Sequence, residues 1–145
     1  MTEDSPRGGA ATPSSGRFDL AQLAAGFPPA ADTLLLDHYM TDAPQGSARL
    51  FRVYRPTPPH YHARSNEFLY VFRGRGTFWI GDPGTLAAFA PGQLLVFERG
   101  VVHALPELFD AEVVFLAIDS PRREPDDVIF VDPASGDPRG FIARR

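Results

Sequence analysis

Residues 59–74, PHYHARSNEFLYVFRG, decide the reading of this chain. His60 and His62 are two apart in a short extended piece, and on a strand such residues point to the same face. Both imidazoles can therefore reach one point. Glu67 follows five residues after His62 and opens the strongly β-forming run EFLYVF, so it can bring a carboxylate to that point. His103, from a distant strand, completes a set of four. Three neutral imidazoles and one carboxylate bind Mn, Fe, Ni, Cu or Zn and leave open positions for water or substrate. Each residue alone has a plainer reading. A His-x-His pair often binds nothing, a strand histidine is often a hydrogen-bonded core residue, and a glutamate at a strand start is often solvated.

Outward from this segment the strand signal is regular. Residues 49–55 (RLFRVYR) alternate apolar and polar and stop at Pro56, Pro58 and Pro59. Residues 77–80 (TFWI) follow a turn at 73–76, so 67–80 reads as a hairpin. Further strands are expected at 86–89, 93–97 (QLLVF), 101–105 and 112–118 (EVVFLAI), with turns at 81–84 and 99–100. Thirteen glycines, 15 prolines and 12 phenylalanines suit many short strands joined by tight turns. About eight strands at this spacing imply an all-β closed or sandwiched barrel. Before it, residues 1–17 read as a disordered tail. Residues 18–25 (FDLAQLAA) read as a short helix stopped by Gly26, Pro28 and Pro29. Residues 33–36 suggest an edge strand and 42–46 a turn. After the barrel, residues 120–127 are rich in proline and charge, and 128–131 (VIFV) read as one more strand, able to cover a sheet edge or pair with a second subunit.

The quoted segment resembles the first motif of the cupin family: His-x-His, three or four residues, Glu, six residues, Gly. Here these are His60, His62, Glu67 and Gly74. The second motif (Gly, five residues, Pro-x-Gly, two residues, His, three residues, Asn) is matched by Gly92, Gly100 and His103. Glu98 stands for its proline and Glu107 for its asparagine, which leaves a charge near the mouth as one reading of Glu107. The motifs span residues 59–107. With the flanking strands the resemblance extends over about residues 48–119 and implies a double-stranded β-helix, or jelly-roll barrel; together with the short N-terminal helix the domain is expected over residues 18–119, followed by the C-terminal extra strand. The resemblance further implies a metal ion held by His60, His62, Glu67 and His103. The family's usual assembly implies a homodimer, with residues 120–145 the expected dimer element.

Composition narrows the chemistry. The 14 basic residues are all arginine, so Schiff bases and the P-loop lysine are excluded; no cysteine removes disulfides, thiol nucleophiles and iron–sulfur clusters. A net charge of −4 without a basic run argues against nucleic acid. No apolar run approaches a membrane span and residues 1–16 lack a signal-peptide core, so a cytoplasmic protein is expected.

Around the expected metal, Arg64 lies in the loop before Glu67 and is a candidate to grip an anionic substrate; the alternative is a solvated loop charge. Arg52 and Tyr54 share one strand face opposite Val53 and Arg55, and are substrate-binding candidates if that face is inward. Tyr61 points away from the metal, Trp79 points opposite to Phe78 and Ile80, and His38 reads as structural. The function expected is a divalent-metal cupin, with one Fe, Mn, Ni or Zn ion, acting on a small molecule. Dioxygenase-type chemistry is favoured, with Glu67 as a catalytic base if it leaves the metal. An isomerase or decarboxylase and a non-catalytic binding module are the alternatives.

Overall fold

The computed structural model describes residues 15–144. Most of the expected N-terminal tail, residues 1–14, lies outside them. A short helix, α1 (Leu20–Ala25), begins at Asp19, whose side chain accepts a hydrogen bond from the Gln22 amide. Eleven strands follow among the described residues: β1 (Leu35–Ala43), β2 (Gly46–Val53), β3 (Thr57–Tyr61), β4 (Asn66–Arg73), β5 (Gly76–Ile80), β6 (Ala87–Phe89), β7 (Leu94–Phe97), β8 (His103–Leu108), β9 (Val113–Ser120), β10 (Ile129–Phe130) and β11 (Ile142–Arg144). A one-turn helix, α2 (Pro138–Phe141), precedes the last strand.

The strands form two sheets, ordered β11-β1-β2-β9-β4-β7 and β10-β3-β8-β5-β6. Neighbours that are distant in sequence, such as β2 with β9 and β3 with β8, give the crossed connections of a double-stranded β-helix. Strict alternation sends one side of each strand into the space between the sheets. There Phe51, Val53, Leu69, Val71, Phe97, Val113, Phe115 and Ala117 form the main core. The outer face of the larger sheet is covered in part by α1. Ala24 and Phe27 pack with Met40, Leu50 and Val114, and Leu50 is fully buried there. Burial of such a side chain contributes about 1.5–3 kcal/mol.

Two sequence expectations change. The run at 33–36 is not an edge: β1 extends to Ala43 and lies between β11 and β2. The prolines at 58 and 59 do not end extended structure, because β3 runs through them. Its register with β8 shifts between Thr57 and His60, an irregularity that accommodates residues unable to donate to a ladder. The strand read at 128–131 covers a sheet edge here, one of the two roles the sequence left open for it. β10 pairs antiparallel with β3, β11 pairs parallel with β1, and Phe141 is buried against the main core. Beyond the expected strands, α2 and β11 had no clear periodic signal in so short a segment.

Candidate metal centre

His60 and His62 come from the end of β3 and the residue after it, Glu67 from the start of β4, and His103 from the start of β8. All four are buried. The pairing of His60 with His103 across β3 and β8 explains how a residue 43 positions away joins the pair. The candidate ligand nitrogens of the three histidines lie within 4.8 Å of one another.

Each imidazole is oriented by a backbone carbonyl. His60 Nδ1 contacts the Pro58 carbonyl at 2.7 Å, His62 Nδ1 the Asp127 carbonyl at 2.7 Å, and His103 Nδ1 the Val101 carbonyl at 3.0 Å. A carbonyl only accepts, so the proton of each neutral ring sits on Nδ1 and donates. The lone pair is then on Nε2, where a metal binds. Nε2 of His62 and of His103 has no hydrogen-bond partner although both are buried. Phe97 stacks flat on His103, with centroids 3.8 Å apart and planes 9° from parallel, and Phe141 meets His60 edge-on at 4.8 Å. Burial first, then the neighbouring His103 and His62, holds His60 well below the ordinary imidazole value; burial and then Arg123 lower His62. Both rings are therefore neutral near pH 7, the form that ligates.

Glu67 divides its two oxygens. Oε2 accepts from Arg49 Nη2 at 2.9 Å and Arg123 Nη1 at 3.1 Å. Oε1 faces Nε2 of His62 at 3.2 Å and of His103 at 3.6 Å. Burial works against ionisation of Glu67, but the charged groups packed on it, the Arg123 guanidinium among them, outweigh it and keep its carboxyl well below the usual value. Electron pairs thus face each other with no proton between them, an arrangement that a cation stabilises. Two donors each about 2.1 Å from one ion stand roughly 3.0–3.4 Å apart, close to these separations. The donor set fits a divalent transition metal, with the three histidines as its core and Glu67 Oε1 as a further ligand.

Arg49 is the centre of the support. It is 1% exposed and bridges Glu67, Asp119 (2.7 Å from Nε) and Asp37 (3.4 Å). Asp127, also buried, accepts from the amides of Ala63 and Arg64 and so fixes the loop between β3 and β4. Arg49, Arg123, Asp127 and Phe141 were not legible as site residues. Arg49 sits in a strand whose polar positions read as solvent-facing, and its partners lie 12, 18 and 70 residues away.

The structure brings together His60, His62, Glu67 and His103, and places the other candidates elsewhere. Arg52 follows inward-facing Phe51, so alternation turns it outward; it stacks on Tyr54 at 4.9 Å and donates to the Ala111 carbonyl. The Tyr54 hydroxyl donates to the Pro28 carbonyl. Neither residue borders the histidine cavity, which corrects the expectation that they contact a substrate there. Arg64 is exposed and pairs with Asp126 at 3.0 Å, the solvated-charge alternative. Glu107 is exposed and accepts from Thr77 Oγ1, away from the cavity, because it falls on the outward register of β8. Trp79 lies on the outer side of the smaller sheet, beside Pro58, Pro59 and Pro106.

The cavity at the histidines measures about 20 Å³, room for an ion or a water. Its remaining walls are mainly apolar, including Leu35, Phe51, Leu69 and Leu105.

Residues 51–119 match the cupin domain family. A comparison with curated proteins finds no significant match. Among solved structures, KdgF from Halomonas sp. is 20% identical with a TM-score of 0.56, over 63% of this chain and 82% of that one. TT1209 from Thermus thermophilus is 18% identical with a TM-score of 0.60, over 74% and 98%. PAC13 from Streptomyces, solved with uridine, is 14% identical with a TM-score of 0.52, over 66% and 77%. At these identities the likeness is one of fold. No helix among the described residues is long and apolar enough to cross a membrane.

Proposed function

This chain belongs to the cupins, and from that premise we propose that it binds one divalent transition metal on His60, His62, His103 and Glu67 and acts on a small molecule with dioxygenase-type chemistry. The observation that carries the reading is the tautomer: three buried imidazoles, each with Nδ1 tied to a carbonyl, turn their Nε2 atoms toward one point. Iron, manganese, nickel or zinc suits this donor set. A bound metal would supply a Lewis acid or a redox centre.

The walls favour oxygen-dependent chemistry over an isomerase or decarboxylase. Every titratable side chain lining the cavity is one of the three histidines, Glu67, Arg49 or Arg123. The histidines and Glu67 would be engaged as ligands, and the two arginines hold Glu67 and Asp119. Nothing else lining it is placed to move a proton as general acid or base. Glu67 would become such a base only on leaving the metal. The apolar remainder suits a reactive centre kept from bulk water. A uridine-bound structure of the same fold is in keeping with a small-molecule ligand. The reading takes the protein as a cytoplasmic homodimer, and a monomer by light scattering would remove the dimer from it.

The test is oxygen uptake by Fe(II)-loaded protein with a panel of catechols and diketones. Uptake coupled to substrate loss is the expected result. Substrate turnover that proceeds without oxygen would replace this reading with the isomerase or decarboxylase. Tight ligand binding without product would replace it with a binding module.

A further inference from the structure

A second cavity, of about 220 Å³, opens beside the histidine cavity and shares Arg49, Arg123 and Ile142 with it as walls. Its rim is formed by Arg139 of α2 and Arg144 of β11, both exposed. Four arginines line it against two aspartates, Asp37 and Asp126. Both acids are already engaged, Asp37 by Arg49 and Asp126 by Arg64. Two of the four arginines, Arg49 and Arg123, also pair with Glu67 and Asp119.

Two features make it a built site. Arg123 is 4% exposed, lines both cavities, and its Nε–H has no hydrogen-bond partner. A buried guanidinium donor left unmatched is costly, and an acceptor in the cavity removes that cost. Tyr39, also in the wall, lies under the Arg144 guanidinium at 5.0 Å from its ring and is 6.0 Å from that of Arg49, which holds Arg144 over the cavity.

We infer that this cavity is the subsite for the anionic group, a carboxylate or a phosphate, of a small molecule that reaches the neighbouring metal centre. The inference rests on the proposed function for the second half of that statement only; the anion subsite stands on the arginines. Guanidinium forks are suited to both oxyanions. The C-terminal segment would thus define substrate class, since it supplies Arg123, Arg139 and Arg144, while the barrel supplies the metal ligands.

The test is calorimetric titration of the full chain, metal-free and metal-loaded, with malonate and separately with inorganic phosphate at low ionic strength. Saturable binding of one or both to the metal-free protein is expected, and the stronger of the two identifies the oxyanion. Arg139→Gln and Arg144→Gln, both on the surface and expected to fold, should each weaken it about fivefold or more with metal content unchanged. No saturable binding of either anion, or an unchanged affinity in the double variant, overturns the inference. Binding only to metal-loaded protein, indifferent to both substitutions, places the anion on the metal and also overturns it. Binding that the substitutions weaken in a protein that takes up no metal would overturn the metal reading and leave the subsite standing.

Discussion

Replacing Arg49 by methionine tests the claim that one buried arginine holds the site together. The guanidinium is 1% exposed and lies within 3.4 Å of three carboxylates, those of Asp37, Glu67 and Asp119. Asp119 is fully buried and keeps Ser47 Oγ at 2.9 Å and, at 3.8 Å, Arg123. Glu67 keeps Arg123 at 3.1 Å. Asp37 loses its ion pair with the arginine. Methionine fills much of the volume, so the main cost is electrostatic. Breaking a buried pair by removing one partner costs about 3–5 kcal/mol, because the carboxylates stay buried. For a chain of this size that lowers Tm by roughly 6–20 °C. The assay is urea denaturation of metal-free protein, followed by fluorescence of Trp79, the only tryptophan. Arg52→Met is the control. That arginine faces outward, stacks on Tyr54 and gives one bond of 3.3 Å to a carbonyl, so its loss should cost under about 1 kcal/mol. A loss below about 1 kcal/mol for Arg49→Met, or equal losses for the two variants, would refute the reasoning.

Three further outcomes are expected. Phe141→Ala removes a ring that is 4% exposed and packed on His60, and should cost about 3 kcal/mol while admitting larger ligands to the histidine cavity; an unchanged denaturation midpoint would contradict the placement of α2. Gly76→Ala should destabilise by more than about 2 kcal/mol in the same assay, since a Cβ there would stand 2.3 Å from the Glu107 carbonyl oxygen and 2.8 Å from the Phe89 ring; a neutral result would contradict the β5–β8 pairing. Metal-free protein should lose stability as pH falls below 6.5. Burial holds His60 and His62 below that value in the folded state, so the unfolded chain takes up protons there that the folded chain does not. Glu67 adds a second loss as pH falls through the value, well below 4.5, at which it titrates in the folded state, because its folded form also resists protonation. Denaturation midpoints from pH 8 down to about 2 check both, and a flat profile between 7.5 and 5.5 would contradict the buried, neutral histidines.

The candidate ligands His60, His62 and Glu67 were legible because two local facts, a two-residue spacing on a strand and a carboxylate at the next strand start, act at short range, whereas His103, on a distant strand, joined them through its place in the second motif. The fold was legible for a similar reason: alternation and turn residues are local signals, and they placed β4, β5, β7 and β9 within a residue or two. What escaped was held by long-range pairing. Arg49 reads as a surface arginine until Asp119, 70 residues on, is folded beside it. Arg123 and Asp127 lie in a proline- and charge-rich stretch that composition marks as loop, yet both are buried because the metal loop and Glu67 supply their partners. Arg52 shows the converse limit. Alternation correctly put it with Tyr54, but which face was inward depended on the barrel.

The metal content of freshly purified, tag-free protein, measured by elemental mass spectrometry, tests the central claim most directly. The account predicts about one transition-metal ion per chain, lost in His103→Ala. Less than about a tenth of an equivalent in the unmodified protein, even after incubation with Fe(II), Mn(II), Ni(II) and Zn(II), would contradict it.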